Sequence, residues 1–150
     1  MVIIKNKYLI LGGNSLEYKF NFNGKDFVLN KNNCEGIFFG DEEISGIDLD
    51  LILNTLNNSD EVNFSNEYYT GRCECGNQEQ LNKSYCYLEY HFYIYTKNND
   101  YVINTLCKEY KNTSFNKLFS IGKVDNSYIV NVTVCPCCGK FSIEIDQCEV

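Results

Sequence analysis

Two short cysteine clusters constrain this chain more than any other feature: Cys73-Glu74-Cys75-Gly76 and Cys135-Pro136-Cys137-Cys138-Gly139. Each packs thiols into a tight turn beside a glycine, and each borders residues that alternate as strands do. A fold that brings the clusters together joins segments roughly sixty residues apart and fixes the register of the sheet that carries them. The chain has nine cysteines, and an odd number cannot all pair as disulfides. The first residues carry apolar character interrupted by Lys5, Asn6 and Lys7, so they lack the unbroken core of a signal peptide. The expected location is therefore the cytoplasm, where disulfides are disfavoured and metal binding is the better account of clustered thiols.

The N-terminal part reads as hairpin and helix. Val2 to Leu11 is an apolar run closed by Gly12-Gly13, and Tyr18, Phe20 and Phe22 alternate with polar residues up to Asn23-Gly24. Asn-Gly tolerates the positive φ of a type I′ turn, which places Phe27 and Leu29 on a returning strand. Gly36 to Gly46 reads as a loop with a short apolar piece. Beyond it Ile47, Leu51, Ile52, Thr55 and Leu56 share one helical face, with Asp48 as N-cap and Asn57 to Asp60 as the stop.

The remainder is mainly strand. Val62 to Tyr69, Tyr128 to Val134 and Phe141 to Ile145 have strand composition, and Ser84 to Thr96 alternates most clearly. In that segment Cys86, Leu88, Tyr90, Phe92 and Ile94 belong to a core face, while Tyr85, Tyr87, Glu89, His91, Tyr93 and Tyr95 face the other way. The tyrosines are expected to pack beneath a helix or second sheet, with a binding surface as the alternative. Val102, Ile103, Leu106, Cys107 and Tyr110 predict a second helix over about 101–111, capped by Asp100. The expected fold class is α+β: an antiparallel sheet with hairpin knuckles holding a four-cysteine metal site, and two short helices. At 150 residues it forms one domain, with a hairpin and helix region over 1–60 and a metal-binding sheet region over 61–150.

Cys135-Pro136-Cys137-Cys138-Gly139 resembles the knuckle of zinc-ribbon and rubredoxin-like proteins, and Cys73-Glu74-Cys75-Gly76 looks like a shortened partner knuckle. The resemblance covers about ten residues and implies a metal site and a local fold, but no activity. Its ligand set is Cys73, Cys75, Cys135 and Cys138, holding structural Zn2+, with iron as the alternative. One residue rather than two separates Cys73 from Cys75, and Cys137 is a surplus thiol able to replace Cys138. Cys-Pro-x-Cys also resembles the active-site run of glutaredoxins. That chemistry needs a helix N-terminus to activate the first thiol, and Gly139 to Asp146 alternates as a strand instead. Cys86 and Cys107 read as packing thiols, Cys34 and Cys148 have no assigned partner, and His91 has no spaced partner with which to form a site.

Charge narrows the partners. The net charge of −7 removes the electrostatic term behind nonspecific nucleic-acid binding. Nine acids and no Lys or Arg lie between Glu35 and Glu67, whereas Lys97 to Lys123 holds five lysines against Asp100 and Glu109. These runs read as solvated faces of opposite sign, the acidic one being the alternative docking surface for a basic partner. No segment has the ~20 consecutive apolar residues of a membrane span. The expected function is a macromolecular binding module with a structural metal and a protein partner. A thiol-redox or metal-dependent enzyme using Cys135 to Cys138, and a rubredoxin-like electron carrier, are the alternatives.

Overall fold

The computed structural model describes residues 16–148. The expected strand Val2 to Leu11 lies outside these residues. Strands β1 (Tyr18–Phe22) and β2 (Lys25–Leu29) form an antiparallel hairpin with Phe20 opposite Phe27. Asn23 and Gly24 turn it with φ of 50° and 83°, the left-handed pair that matches strand twist.

The other strands form a mainly antiparallel seven-stranded sheet. They are β3 (Cys34–Phe39), β4 (Ser65–Tyr69), β5 (Gln80–Leu81), β6 (Ser84–Lys97), β7 (Asp100–Asn104), β8 (Asn126–Val134) and β9 (Phe141–Gln147). The order is β3-β9-β8-β6-β4, with β5 and β7 also paired to β6. Long β6 is the spine: Leu88 meets both Asn66 on β4 and Val134 on β8, and Ile94 meets both Asn104 on β7 and Tyr128 on β8. The expected loop at Gly36 to Gly46 is corrected in its first part, because β3 pairs in parallel with β9. That pairing joins distant segments through a bulge between Cys34 and Ile37, and no local pattern announces it.

Helix α1 (Leu49–Asn57) begins where Asp48 caps it, its carboxylate accepting from Leu51 N at 2.8 Å. Ile52, Leu53 and Leu56 are its buried face. They pack with Phe27 and Leu29 of the hairpin against Leu88, Phe92, Val130, Val132, Phe141 and Ile143 of the sheet. The alternation in β6 thus points one face into the core, as its sequence predicts.

The helix expected over 101–111 is corrected. Asn98 and Asn99 take φ of 51° and 67°, turning the chain back so that β7 pairs with the free edge of β6. Only Lys108–Tyr110 forms a 3-10 turn, and the second helix, α2, is Phe115–Ser120. Ser114 caps it by accepting from Lys117 N at 3.2 Å. Strand pairing satisfies a whole row of β6 backbone groups, whereas the apolar positions of 101–111 offered a short helix little more than local bonds.

The second sheet face is uncovered along most of its length among the described residues. Tyr95 alone of the expected packing tyrosines is buried there, against Tyr110 and Phe115 beside α2. Tyr87 and Glu89 are half-buried and His91 and Tyr93 exposed. Among the described residues no helix is long and apolar enough to cross a membrane.

Candidate metal centre

The knuckles meet at one end of this sheet. The second is the turn from β8 to β9, closed by Cys135 N donating to Lys140 O and Gly139 N to Cys135 O, both at 2.9 Å. The first follows β4 and is held by Gln78, whose side-chain oxygen accepts from Cys73 N at 2.7 Å while its Nε2 donates to Cys86 O on β6 at 3.2 Å. Gly76 N donates to Cys73 O at 3.1 Å. Gly76 has φ of 72°, the left-handed backbone conformation that favours glycine.

The structure brings together the four cysteines named from the sequence. The sulfurs of Cys73, Cys75, Cys135 and Cys138 all lie within 4.8 Å of one another. Across the knuckles, Cys73 is 3.6 Å from Cys138 and Cys75 is 3.6 Å from Cys135. A disulfide bond would be about 2.05 Å. A tetrahedron with Zn–S bonds of about 2.3 Å has S···S edges of about 3.8 Å, so the arrangement fits one four-thiolate ion. The single residue between Cys73 and Cys75 does not prevent the pair from converging.

Thiol electrostatics divide in two. Burial pushes the Cys135 thiol well above its ordinary range, despite opposing backbone amides of Cys138 and Cys137. Burial also raises Cys73, with the Cys75 amide opposing it. Cys75 is lowered, chiefly by the Asn77 backbone amide. These amides point at the sulfurs as donors do towards thiolates. A cation is what a buried Cys135 needs to stay deprotonated, and protons therefore compete with a metal here.

Other thiols stand apart. Cys137 is exposed, and its thiol faces Asn77 O at 2.9 Å rather than the cluster. No helix begins at this turn; β9 follows at Phe141, so the activating element of glutaredoxin chemistry is missing from this position. Cys86 is buried on the core face beside Asn66. Cys107 is half-buried and donates to Asn104 O, Cys34 lies on β3, and Cys148 lines a cavity under α2. His91 is outside the sulfur cluster and meets Tyr93 edge to face.

A family model described as protein of unknown function (DUF3785) matches residues 18–150. The chain belongs to the DUF3785 family. That match spans both cysteine clusters and the nine strands of the described residues, and it names no zinc-ribbon family. No curated protein and no solved structure matches the chain.

Sequence reasoning missed the side chains that fasten this DUF3785 centre to the fold. Asn33 Nδ2 donates to Val28 O at 2.7 Å and Gly139 O at 3.0 Å. Lys25 of the hairpin donates through Nζ to Pro136 O at 2.6 Å and Cys137 O at 3.4 Å. Nothing local in the sequence marks the contacts to the knuckle, because Pro136 and Gly139 lie more than 100 residues from Lys25 and Asn33. Lys25 anchors the second knuckle, and four thiolates around a divalent ion would leave negative charge in excess that its ammonium would offset. Being solvent-exposed, it is expected to contribute about 1 kcal/mol to stability. Lys25→Met should lose metal to a chromogenic chelator roughly threefold to tenfold faster at unchanged stoichiometry; an unchanged rate would remove Lys25 from the centre.

Proposed function

We propose that Cys73, Cys75, Cys135 and Cys138 hold one structural zinc ion in a small cytoplasmic module that binds another macromolecule through its uncovered sheet face. The carrying observation is the mutual approach of four sulfurs, from two knuckles, at the end of that face. Such an ion closes the long loop between the knuckles and holds β4, β8 and β9 in register. Four protein thiolates leave no open coordination position for a nucleophilic water, which favours a clamp over a hydrolytic centre. A redox-inert ion suits that role better than iron.

The acidic run supplies only part of the proposed surface. Glu67 pairs with Tyr87 on the uncovered face and Glu35 lies close to the knuckles. Asp48 instead caps α1 and Asp50 lies in its first turn, and that helix packs on the opposite face.

Elemental analysis of the purified chain, with thiol titration before and after chelation, tests the metal reading. One zinc per chain and four thiols that react only after chelation are expected. A metal-free protein with freely reactive Cys135 and Cys138 would overturn it, and a red protein containing iron would replace zinc with an electron-transfer ion.

A further inference from the structure

The cavity under α2 that Cys148 lines holds about 510 Å3, within the roughly 300–1,000 Å3 usual for ligand sites. Its walls are largely aromatic. Tyr93 and Tyr95 reach it from β6, and Phe115 and Phe119 line it from positions one turn apart on α2. Tyr95 and Phe115 have ring centroids 5.0 Å apart, and Phe115 and Phe119 stand 5.8 Å apart, so these rings form one continuous wall. The Tyr95 hydroxyl is engaged by that of Tyr110 at 2.9 Å, which leaves carbon as its contribution here. Phe119, 54% exposed, and Tyr93, 37% exposed, are rings that a bound ligand would cover.

One charged side chain joins these rings. Asp125 lies between α2 and β8, and among the described residues no Lys, Arg or His lines the cavity. The remaining polar lining is amide, hydroxyl and thiol. The carboxylate is held in place but not neutralised: Oδ2 accepts from Asn98 N at 2.9 Å and Oδ1 from Asn126 Nδ2 at 3.4 Å, both uncharged donors. Its own N donates to Thr96 O at 2.7 Å. Lys97 and Lys123 are close in sequence, yet neither lines the cavity, and among the described residues the one ion pair joins Lys19 and Glu17. The thiolate cluster is remote. Ser127 opens into the cavity eight residues before Cys135 on one extended strand, about 26 Å at about 3.3 Å per residue, beyond the ~8 Å over which charges act through physiological salt.

These walls select by charge and by hydration. An anion would meet Asp125 with no cation to offset it. A neutral apolar molecule would fill the aromatic wall while taking water from the carboxylate. A compact, strongly hydrated cation would exchange that water for carbon. An alkylated ammonium meets none of these costs, since its charge is spread over apolar groups and is attracted both by aromatic rings and by a carboxylate. The volume also exceeds that of a bare ammonium group, so the ligand has an apolar body. We infer that the cavity under α2 binds a small organic cation, a quaternary or alkylated ammonium on an apolar body, with the ammonium at Asp125 and the body against Phe115 and Phe119. This site goes beyond the metal-stabilised module and needs no ion in the knuckles.

The test is a ligand-observed NMR titration of the full chain at physiological ionic strength, with para-hydroxyphenyl-trimethylammonium as the probe. Three comparisons isolate its features: para-tert-butylphenol has the same shape without charge, para-hydroxybenzenesulfonate has the opposite charge, and tetramethylammonium lacks the body. The probe is expected to bind saturably and roughly tenfold more tightly than any of the three, the scale of a cation–aromatic contact joined to a carboxylate. Asp125→Asn keeps an oxygen for Asn98 N and should bring the probe and para-tert-butylphenol to within about twofold of each other. Phe119→Leu, at an exposed position, keeps an apolar group but removes the ring; it should weaken the probe roughly threefold and leave para-tert-butylphenol nearly unchanged. Glu144→Gln, on the same sheet face but outside the cavity, should alter no preference. Loss of the preference in Glu144→Gln would reveal a diffuse attraction of an acidic chain for cations and overturn the site. So would absence of saturable binding, a comparison compound that binds as tightly as the probe, or a preference that survives Asp125→Asn. Zinc content measured on the same samples separates the two proposals: a zinc-loaded protein that does not select the probe sinks the ammonium site alone, and a zinc-free protein that still selects it sinks the metal reading alone.

Discussion

Cys135→Ala is expected to empty the metal centre and to destabilise the protein by several kcal/mol, read as loss of bound zinc and a fall in melting temperature on the order of 10 °C. Cys135 is the most enclosed of the four ligand candidates, with 2% of its surface exposed, and it directly follows the central strand β8. Its sulfur lies 3.6 Å from that of Cys75, across the joint between the knuckles. Removing it deletes one of four donors and leaves the others without their common ion. The chain should remain folded, because its main core is built from α1, the hairpin and the sheet without Cys73, Cys75, Cys135 or Cys138. The effect should therefore fall well short of the ~10–16 kcal/mol attached to zinc in peptides that have no other core. Cys137→Ala is the matched control. Its exposed thiol faces Asn77 O, so zinc stoichiometry should be unchanged and the stability loss about 1 kcal/mol or less. Loss of zinc in Cys137→Ala with retention in Cys138→Ala would exchange their roles and remove Cys138 from the ligand set.

The cysteine cluster was legible in the sequence because its members announce themselves twice, as paired thiols and as tight turns between strand patterns. The alternation of Ser84 to Thr96 and the capping position of Asp48 were legible for a similar reason: side-chain period and local hydrogen bonding are written in adjacent residues. The fate of residues 101–111 was not. Val102, Ile103 and Leu106 fit a helical spacing, but Asn98 and Asn99 adopt a left-handed turn that delivers the segment to an unpaired edge of β6. Pairing there satisfies more backbone than one short helix does. The parallel pairing of β3 with β9 was hidden too, since Cys34 and Phe141 meet only after the whole intervening chain has folded. The same distance concealed Lys25 and Asn33. What the sequence carried was the identity of the four converging cysteines; how their knuckles are fastened is a property of the tertiary fold.

That fastening also explains which sheet face is left uncovered. The hairpin and α1 cover the core side of the sheet, and Lys25 reaches from the hairpin to the carbonyls of the second knuckle. The metal end is thereby braced from the covered side, leaving Arg72, Lys140 and the hydroxyls of Thr133 and Ser142 on the other. Tyr69 donates to Glu89 on that open face, and burial, followed by this bond, raises its phenol above the ordinary range. It remains a neutral donor at physiological pH and adds no charge to that face.

Phe64→Ala is expected to cost about 3–5 kcal/mol, the usual price of removing a buried phenyl ring. Phe64 is 5% exposed, stacks on Phe20 with ring centroids 4.1 Å apart, and meets Tyr90 of β6 at 5.8 Å. Phe20 in turn stacks on Phe27 at 5.0 Å. The hairpin forms its own two-stranded sheet rather than pairing with the larger one, so these rings supply much of its attachment. A separate hairpin is marginally stable in water, and removing Phe64 should loosen it before the seven-stranded sheet opens. Hydrogen exchange should therefore accelerate in Tyr18–Leu29 more than in β6 and β8. Because Lys25 leaves with the hairpin, metal loss to a chelator should quicken to about the extent seen in Lys25→Met, with zinc stoichiometry still one per chain before challenge. Equal acceleration across all strands would show that the hairpin and sheet open as one unit and that Phe64 serves the common core. Faster hairpin exchange without faster metal loss would show instead that Lys25 does not transmit the hairpin's docking to the knuckle.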